Sequence, residues 1–138
     1  YEIEKAIFAG DINYKDVPKI WNDLMWKYLG VKVTNYKDGC MQDIHWTDGA
    51  FGYFPSYTLG AMIAAQLYAA AKKERPDIPE KLAKGDFTIF VDWLRINVHK
   101  HGSLYDKAEL IKQATGQYLN PEVYQKHLID RYLKDEIH

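Results

Sequence analysis

Apolar residues recur at helical spacing along almost the whole chain. In residues 2–9, Ile3, Ile7 and Phe8 lie close on one side of a helix, and Gly10 can supply a left-handed stop. Ile20, Trp21, Leu24 and Tyr28 repeat the pattern in a second helix that Asp16 is expected to cap, Pro18 to open and Gly30 to end. Residues 31–36 alternate like a strand, but the run is short and has no evident pairing partner, so an extended connector is predicted. A long helix over 56–73 begins near Pro55. Gly60, Ala61, Ala64, Ala65, Ala69 and Ala70 leave little bulk on much of its circumference, which suits a helix surrounded by close neighbours. Pro76 and Pro79 mark a turn. Residues 87–100 carry the strongest apolar stripe, Phe87, Phe90, Val91, Leu94 and Val98, opposite Asp92, Arg95 and Lys100. Asp106 caps residues 107–115 ahead of Gly116, and Asn120 with Pro121 starts a last helix in which Val123, Tyr124, Leu128 and Tyr132 share a face. The fold class expected is all-α, with residues 1–138 as a single helical segment free of repeats and low-complexity linkers.

Composition narrows the class. With 47% hydrophobic and 27% charged residues and a formal charge of -1, the chain is neither disordered nor suited to electrostatic binding of nucleic acid. Residues 49–71 hold no charge over 23 positions, long enough to raise a membrane span. Gly52, Pro55, Ser56, Thr58 and Gln66 interrupt that run, its tyrosines need polar partners, and alanine rather than leucine fills its second half, so a buried helix is expected and no membrane partner. Cys40 has no second cysteine to pair with, and no targeting segment opens the chain, which fits a reducing, cytoplasmic setting. Residue 2 is already in helical rhythm without a capping residue ahead of it, so the numbering is expected to start inside a helix.

Residues 39–46 read Gly-Cys-Met-Gln-Asp-Ile-His-Trp, and the aromatic-rich segment 51–57 that follows ends on Tyr57. The eight positions match the G-x-x-Q-D-x-H-W signature of the carboxypeptidase Taq family of thermostable zinc metallocarboxypeptidases without a gap. Residues 1–7, 93–102 and 114–121 also resemble the carboxyl-terminal part of that family. The resemblance covers essentially all 138 residues and implies the helical C-terminal part of a larger, mostly helical, zincin-type metallopeptidase. Such an enzyme removes single residues from peptide carboxyl termini, with two histidines and a glutamate on zinc and the glutamate of H-E-x-x-H activating water. This chain holds no H-E-x-x-H, nor the family's I-R-x-x-A-D motif, whose arginine suits a substrate carboxylate. Both are expected upstream of Tyr1.

Within that resemblance His45 and Tyr57 are the candidate catalytic pair. Peptide hydrolysis passes through a tetrahedral oxyanion, which an imidazole or phenol can stabilise by donating a hydrogen bond. Angiotensin-converting enzyme, another helical zinc peptidase, offers an analogy of fold and role. Tyr53, Trp46 and Phe51 are candidates to line the substrate cleft. Gln42 and Asp43 are expected behind His45, the carboxylate fixing its tautomer and the glutamine extending the hydrogen-bond network. Tyr53 competes with Tyr57 for the cleft-facing position. Judged without the family, Gln-Asp-x-His would read as a satisfied polar turn with Trp46, Phe51 and Phe54 as core.

The remaining candidates carry less chemistry. His99 and His101, two apart on a helix, diverge by about 200° and do not converge on one ion, so a charge-complementing role at a helix C-terminus is expected. His127 and His138 have no Glu-x-x-His or Cys partner, Asp130 and Lys134 read as a solvated ion pair, and Cys40 has no identifiable activating base. Two readings follow. In the first, the chain is the substrate-facing, dimer-supporting end of a zinc metallocarboxypeptidase, a homodimer whose partners are the peptide C-terminus and the enzyme upstream of Tyr1; alone it is inactive and binds no metal. In the second, it is a noncatalytic helical module that binds a protein partner through its aromatic surface.

Overall fold

The computed structural model describes residues 1–133. Lys134, expected to pair with Asp130, and His138 lie outside the described residues. Seven α-helices and three short 3-10 turns account for the regular structure, with no strand among the described residues. The chain divides into two compact units, Tyr1–Tyr57 and Thr58–His138.

In the first unit, α1 (Glu2–Ala9) ends where Gly10, at φ 79°, returns its N–H to the carbonyls of Ala6 and Ile7. The second helix, α2 (Val17–Leu29), ends the same way at Gly30, φ 65°. Its start departs from expectation, since Asp16 has helical dihedrals and its side chain makes no cap bond. The Asp16 carboxylate instead accepts the N–H of Asn13 at 3.0 Å, while Asn13 Oδ1 accepts from Lys15 N. Local side-chain turns of this kind compete with capping for the same oxygens. Residues 31–34 run without ladder partners, as a connector does. Two 3-10 turns follow, Cys40–Gln42 and Ile44–Asp48.

In α3 (Pro55–Glu74), only Tyr57 and the residues before it belong to the first unit. The core of the second unit is Ala71, Ile78 and Trp93, packed by Leu67, Tyr68, Ala70, Leu82, Ile89, Phe90 and Leu94. Trp93 Nε1 donates to Glu74 Oε2 at 2.8 Å, so the largest core ring has its polar atom satisfied. The segment expected as a turn at Pro76 and Pro79 contains a further helix, α4 (Ile78–Ala83), with Pro79 in its first turn and Ile78 fully buried. The next helix, α5, is Thr88–Asn97, shorter than the predicted 87–100. Phe87 lies outside it and is exposed, and the backbone leaves helical geometry at Val98 for a 3-10 turn over His99–His101. The predicted span exceeds the helix by one residue at its start and three at its end, and the buried residue on α5 is Trp93.

Both predicted caps of the last two helices are present. Asp106 accepts the N–H of Glu109 at the start of α6 (Lys107–Thr115), and Asn120 that of Glu122 at the start of α7 (Pro121–Tyr132), each at 2.9 Å. The link between them is tied to α3 by Gln66, only 2% exposed. Its amide nitrogen lies within 2.8–3.2 Å of Thr115 Oγ1 and the carbonyls of Gln117 and Tyr118, and its oxygen accepts the N–H of Asn120 at 2.8 Å. On α7, Val123, Tyr124 and Leu128 are half-buried, whereas Tyr132 is exposed.

Candidate active site

The segment 39–46 is held by close packing before any side chain of chemical interest appears. A Cβ at Gly39 would lie 2.8 Å from Val33 Cγ1 and 3.0 Å from the carbonyl of Asn35, so only glycine lets the connector lie against this turn. Gln42 is engaged with the chain before it, its Nε2 donating to the Lys37 carbonyl at 2.6 Å. The glutamine thus closes the 37–42 loop rather than extending the hydrogen bonds behind His45.

Asp43 is buried, and its Oδ1 performs two tasks. It accepts the backbone N–H of His45 at 3.1 Å, capping the 3-10 turn Ile44–Asp48, and it stands 3.1 Å from His45 Nδ1. An oxygen already accepting from one N–H is suited to accept a second, which places the proton of a neutral imidazole on Nδ1. Nε2 is then the acceptor. It lies 3.0 Å from Tyr57 Oη, so in this state the phenol donates and Asp43, His45 and Tyr57 form one hydrogen-bonded line. Tyr57 sits in the first turn of α3, beside backbone bonds from Ser56 N to Tyr53 O and Tyr57 N to Phe54 O that tighten the entry.

Rings enclose the imidazole. Tyr53 stacks on it with centroids 5.1 Å apart and planes 22° apart, and Phe54 meets it edge-on at 5.0 Å. The structure therefore gives the two tyrosines different tasks: Tyr57 meets His45 through its hydroxyl, Tyr53 through its ring face. Phe51 packs edge-on against Phe8 at 5.3 Å, and Phe51, Tyr53 and Tyr57 are each about half exposed. Trp46 is directed elsewhere. Its Nε1 donates to Glu4 Oε1 at 2.9 Å and its ring meets that of Trp21 edge-on at 6.1 Å.

Glu4 is the residue that sequence reasoning missed here. At about 100° per residue it falls between Ile7 and Phe8, in the middle of the apolar face of α1. A carboxyl in that position signals a buried hydrogen-bond partner. Elsewhere His99 and His101 fall in the 3-10 turn that follows α5, and His101 packs against the Tyr105 ring. Among the described residues no three His, Cys, Asp or Glu side chains converge as a metal site requires.

Comparison with known proteins identifies the family of the chain. The profile of the carboxypeptidase Taq (M32) metallopeptidase family matches residues 1–132. The thermostable carboxypeptidase 1 of Pyrococcus furiosus is 41% identical over 133 residues, which are 96% of this chain and 27% of that protein. The carboxypeptidase 1 of Bacillus subtilis is 41% identical over 132 residues, 96% of this chain and 26% of that protein. Metallocarboxypeptidase 1 of Trypanosoma cruzi superimposes with a TM-score of 0.89 at 44% identity, covering 96% of this chain and 28% of its own. The chain thus spans about a quarter of the length of the relatives it matches. With the signature, the all-helical architecture and the match over nearly its whole length, this chain belongs to the carboxypeptidase Taq (M32) metallopeptidase family.

Proposed function

We propose that these residues form the carboxyl-terminal, substrate-facing portion of a zinc metallocarboxypeptidase that releases single residues from peptide carboxyl termini. The observation that carries the reading is the line Asp43, His45, Tyr57, with contacts of 3.1 and 3.0 Å. Rotation about the Cζ–Oη bond turns the Tyr57 hydroxyl from His45 Nε2 toward a substrate oxygen without moving the ring. The phenol can then donate to a carbonyl as it becomes an oxyanion, where a preplaced donor is worth most. Asp43 holds the imidazole, and Tyr53 stacked on it limits its rotation, so the acceptor that orients Tyr57 is itself fixed. Phe51 and Tyr53 keep exposed faces that suit the lining of a cleft.

Zinc, in this reading, is held by residues outside those described, since the donor set here does not fit it. When bound it supplies the activated water. The whole enzyme is read as a cytoplasmic homodimer acting on peptides rather than on nucleic acid; no helix among the described residues is long and apolar enough to cross a membrane.

Two measurements test the proposal. In the complete enzyme Tyr57→Phe should lower kcat about a hundredfold with little change in KM, because it removes a donor needed chiefly in the transition state. His45→Ala should do the same and Tyr53→Phe much less. Unchanged kcat for both Tyr57→Phe and His45→Ala overturns the reading, leaving the line a packing element. The 138-residue chain alone should show no carboxypeptidase activity and no stoichiometric zinc after mild dialysis; one tightly held zinc per chain counts against it.

A further inference from the structure

We infer that Glu4 is a positioning residue for His45, acting through Trp46; this rests on His45 belonging to the substrate-facing site proposed above. The turn that carries both residues is five residues long, Ile44–Asp48, and of the 3-10 type, whose weaker hydrogen bonds do not hold an orientation alone. Successive side chains on such a turn project about 120° apart. His45 therefore points toward Tyr57 while Trp46 points toward α1 and α2. Fixing Trp46 fixes the rotation of the turn about its own axis, and with it the direction of the imidazole.

Glu4 supplies that fixation across 42 residues of sequence, and it does so from a buried position, 4% exposed. Packing alone does not account for a carboxyl group there. One oxygen, Oε2, is buried without a hydrogen-bond partner and meets only the Tyr1 amino group, at 3.9 Å; Trp21 Nε1 on α2 is likewise buried without one. An apolar side chain of similar volume would fill the space without leaving an orphaned oxygen. What it would lack is the directional bond to the indole. Asp43 favours the proton on Nδ1 of His45, and Glu4, through Trp46, keeps Nε2 against the Tyr57 hydroxyl so that this one tautomer is locked.

The test reads His45 and not activity, so it stands apart from the kinetics of Tyr57→Phe. The 138-residue chain, labelled with 15N at histidine and tryptophan, should show distinct Nδ1 and Nε2 signals for His45 with the proton on Nδ1, and a hydrogen-bonded Trp46 indole N–H. Glu4→Leu should release the indole N–H and collapse the two imidazole signals toward the averaged position of a freely exchanging ring, with helical circular dichroism unchanged. Glu4→Gln keeps an acceptor for the indole and should restore the wild-type pattern. Where Glu4→Leu does not fold, Trp46→Phe removes the donor and should give the same collapse. An unchanged His45 pattern in a folded Glu4→Leu or Trp46→Phe overturns the inference, and so does collapse in Glu4→Gln. If the pattern behaves as expected while Tyr57→Phe has normal kcat, the strut stands and the catalytic reading falls.

Discussion

Gln66 and Glu4 are both buried, both polar, and both join segments more than forty residues apart, yet they leave their surroundings in opposite states. The amide of Gln66 has three acceptors within reach of its two N–H bonds and one backbone donor on its oxygen, so both ends of the amide are satisfied. Glu4 hydrogen-bonds through one oxygen and leaves the other with no more than a 3.9 Å approach of the Tyr1 amino group, and the rings around His45 remain about half exposed. The same contrast runs through the two units. Residues 58–133 centre on Ala71, Ile78 and Trp93, with the indole satisfied by Glu74; residues 1–57 bury Glu4 Oε2 and Trp21 Nε1 without a hydrogen-bond partner. A fully satisfied buried network rigidifies and specifies a fold, whereas unspent hydrogen-bonding capacity is where a further partner can act.

The contrast breaks most visibly at Gln66. Gln66→Leu should destabilise the chain by about 3–4 kcal/mol, because the N–H of Asn120 and the Gln117 and Tyr118 carbonyls lose a partner together in a buried place. Urea unfolding measures the loss, and hydrogen exchange should localise it to the amides of 115–120. A cost under about 1 kcal/mol would mean that water replaces the amide and that the pocket is not the closed lock described.

Gln66 also marks the limit of what the sequence discloses. Features set by near neighbours were legible: the left-handed stops at Gly10 and Gly30, the caps at Asp106 and Asn120, the start of α3 at Pro55. Asp16 does not cap α2, because a competing turn to Asn13 uses the same carboxylate, a choice between two local bonds that residue type does not decide. Helix α4 is masked in the sequence by Pro76 and Pro79, since what stabilises it is the burial of Ile78 in the core formed with α3 and α5 on either side of it. Phe87 continues the apolar stripe in sequence, but it precedes the first residue of α5 and stays exposed. At the site, the pattern 39–46 with Tyr57 pointed to His45 and its neighbours through family resemblance, and the geometry then separated Tyr57 from Tyr53. Glu4 and Gln66 could have been noticed only as anomalies, polar residues on otherwise apolar or small-residue helix faces, because their partners lie 42–54 residues away.

A smaller effect sharpens the comparison at helix starts. Asp106→Ala should cost about 1 kcal/mol, the usual worth of an N-cap whose side chain accepts a backbone N–H. Asp16→Ala, in the first unit, should cost only a few tenths, because its carboxylate does not cap α2. Paired denaturation curves measure both. Equal costs would mean that the Asn13 turn organises the start of α2 as strongly as a true cap does.

The smallest expected effect belongs to Asp86, which does at the surface what Gln66 does in the interior. Its Oδ1 accepts the N–H of Thr88 at 3.0 Å just where α5 begins. That backbone bond first, then the Thr88 side chain and the charge of Lys81, hold the carboxyl below its ordinary value, against a small opposing cost of desolvation. A carboxylate with a depressed folded-state pKa binds its proton more readily in the unfolded chain. Its stabilisation is therefore complete above the unfolded value of about 3.9 and is lost as pH falls through the folded one. Because the group is open to solvent, water and salt screen the interaction, and the difference should be modest. Melting temperatures of wild type and Asp86→Asn should differ slightly at neutral pH, begin to converge near about pH 4 and meet once the pH has fallen through the lower folded-state value. A gap that persists unchanged into acid would assign the stabilisation to hydrogen-bond geometry that asparagine fails to reproduce, and not to the carboxylate's charge.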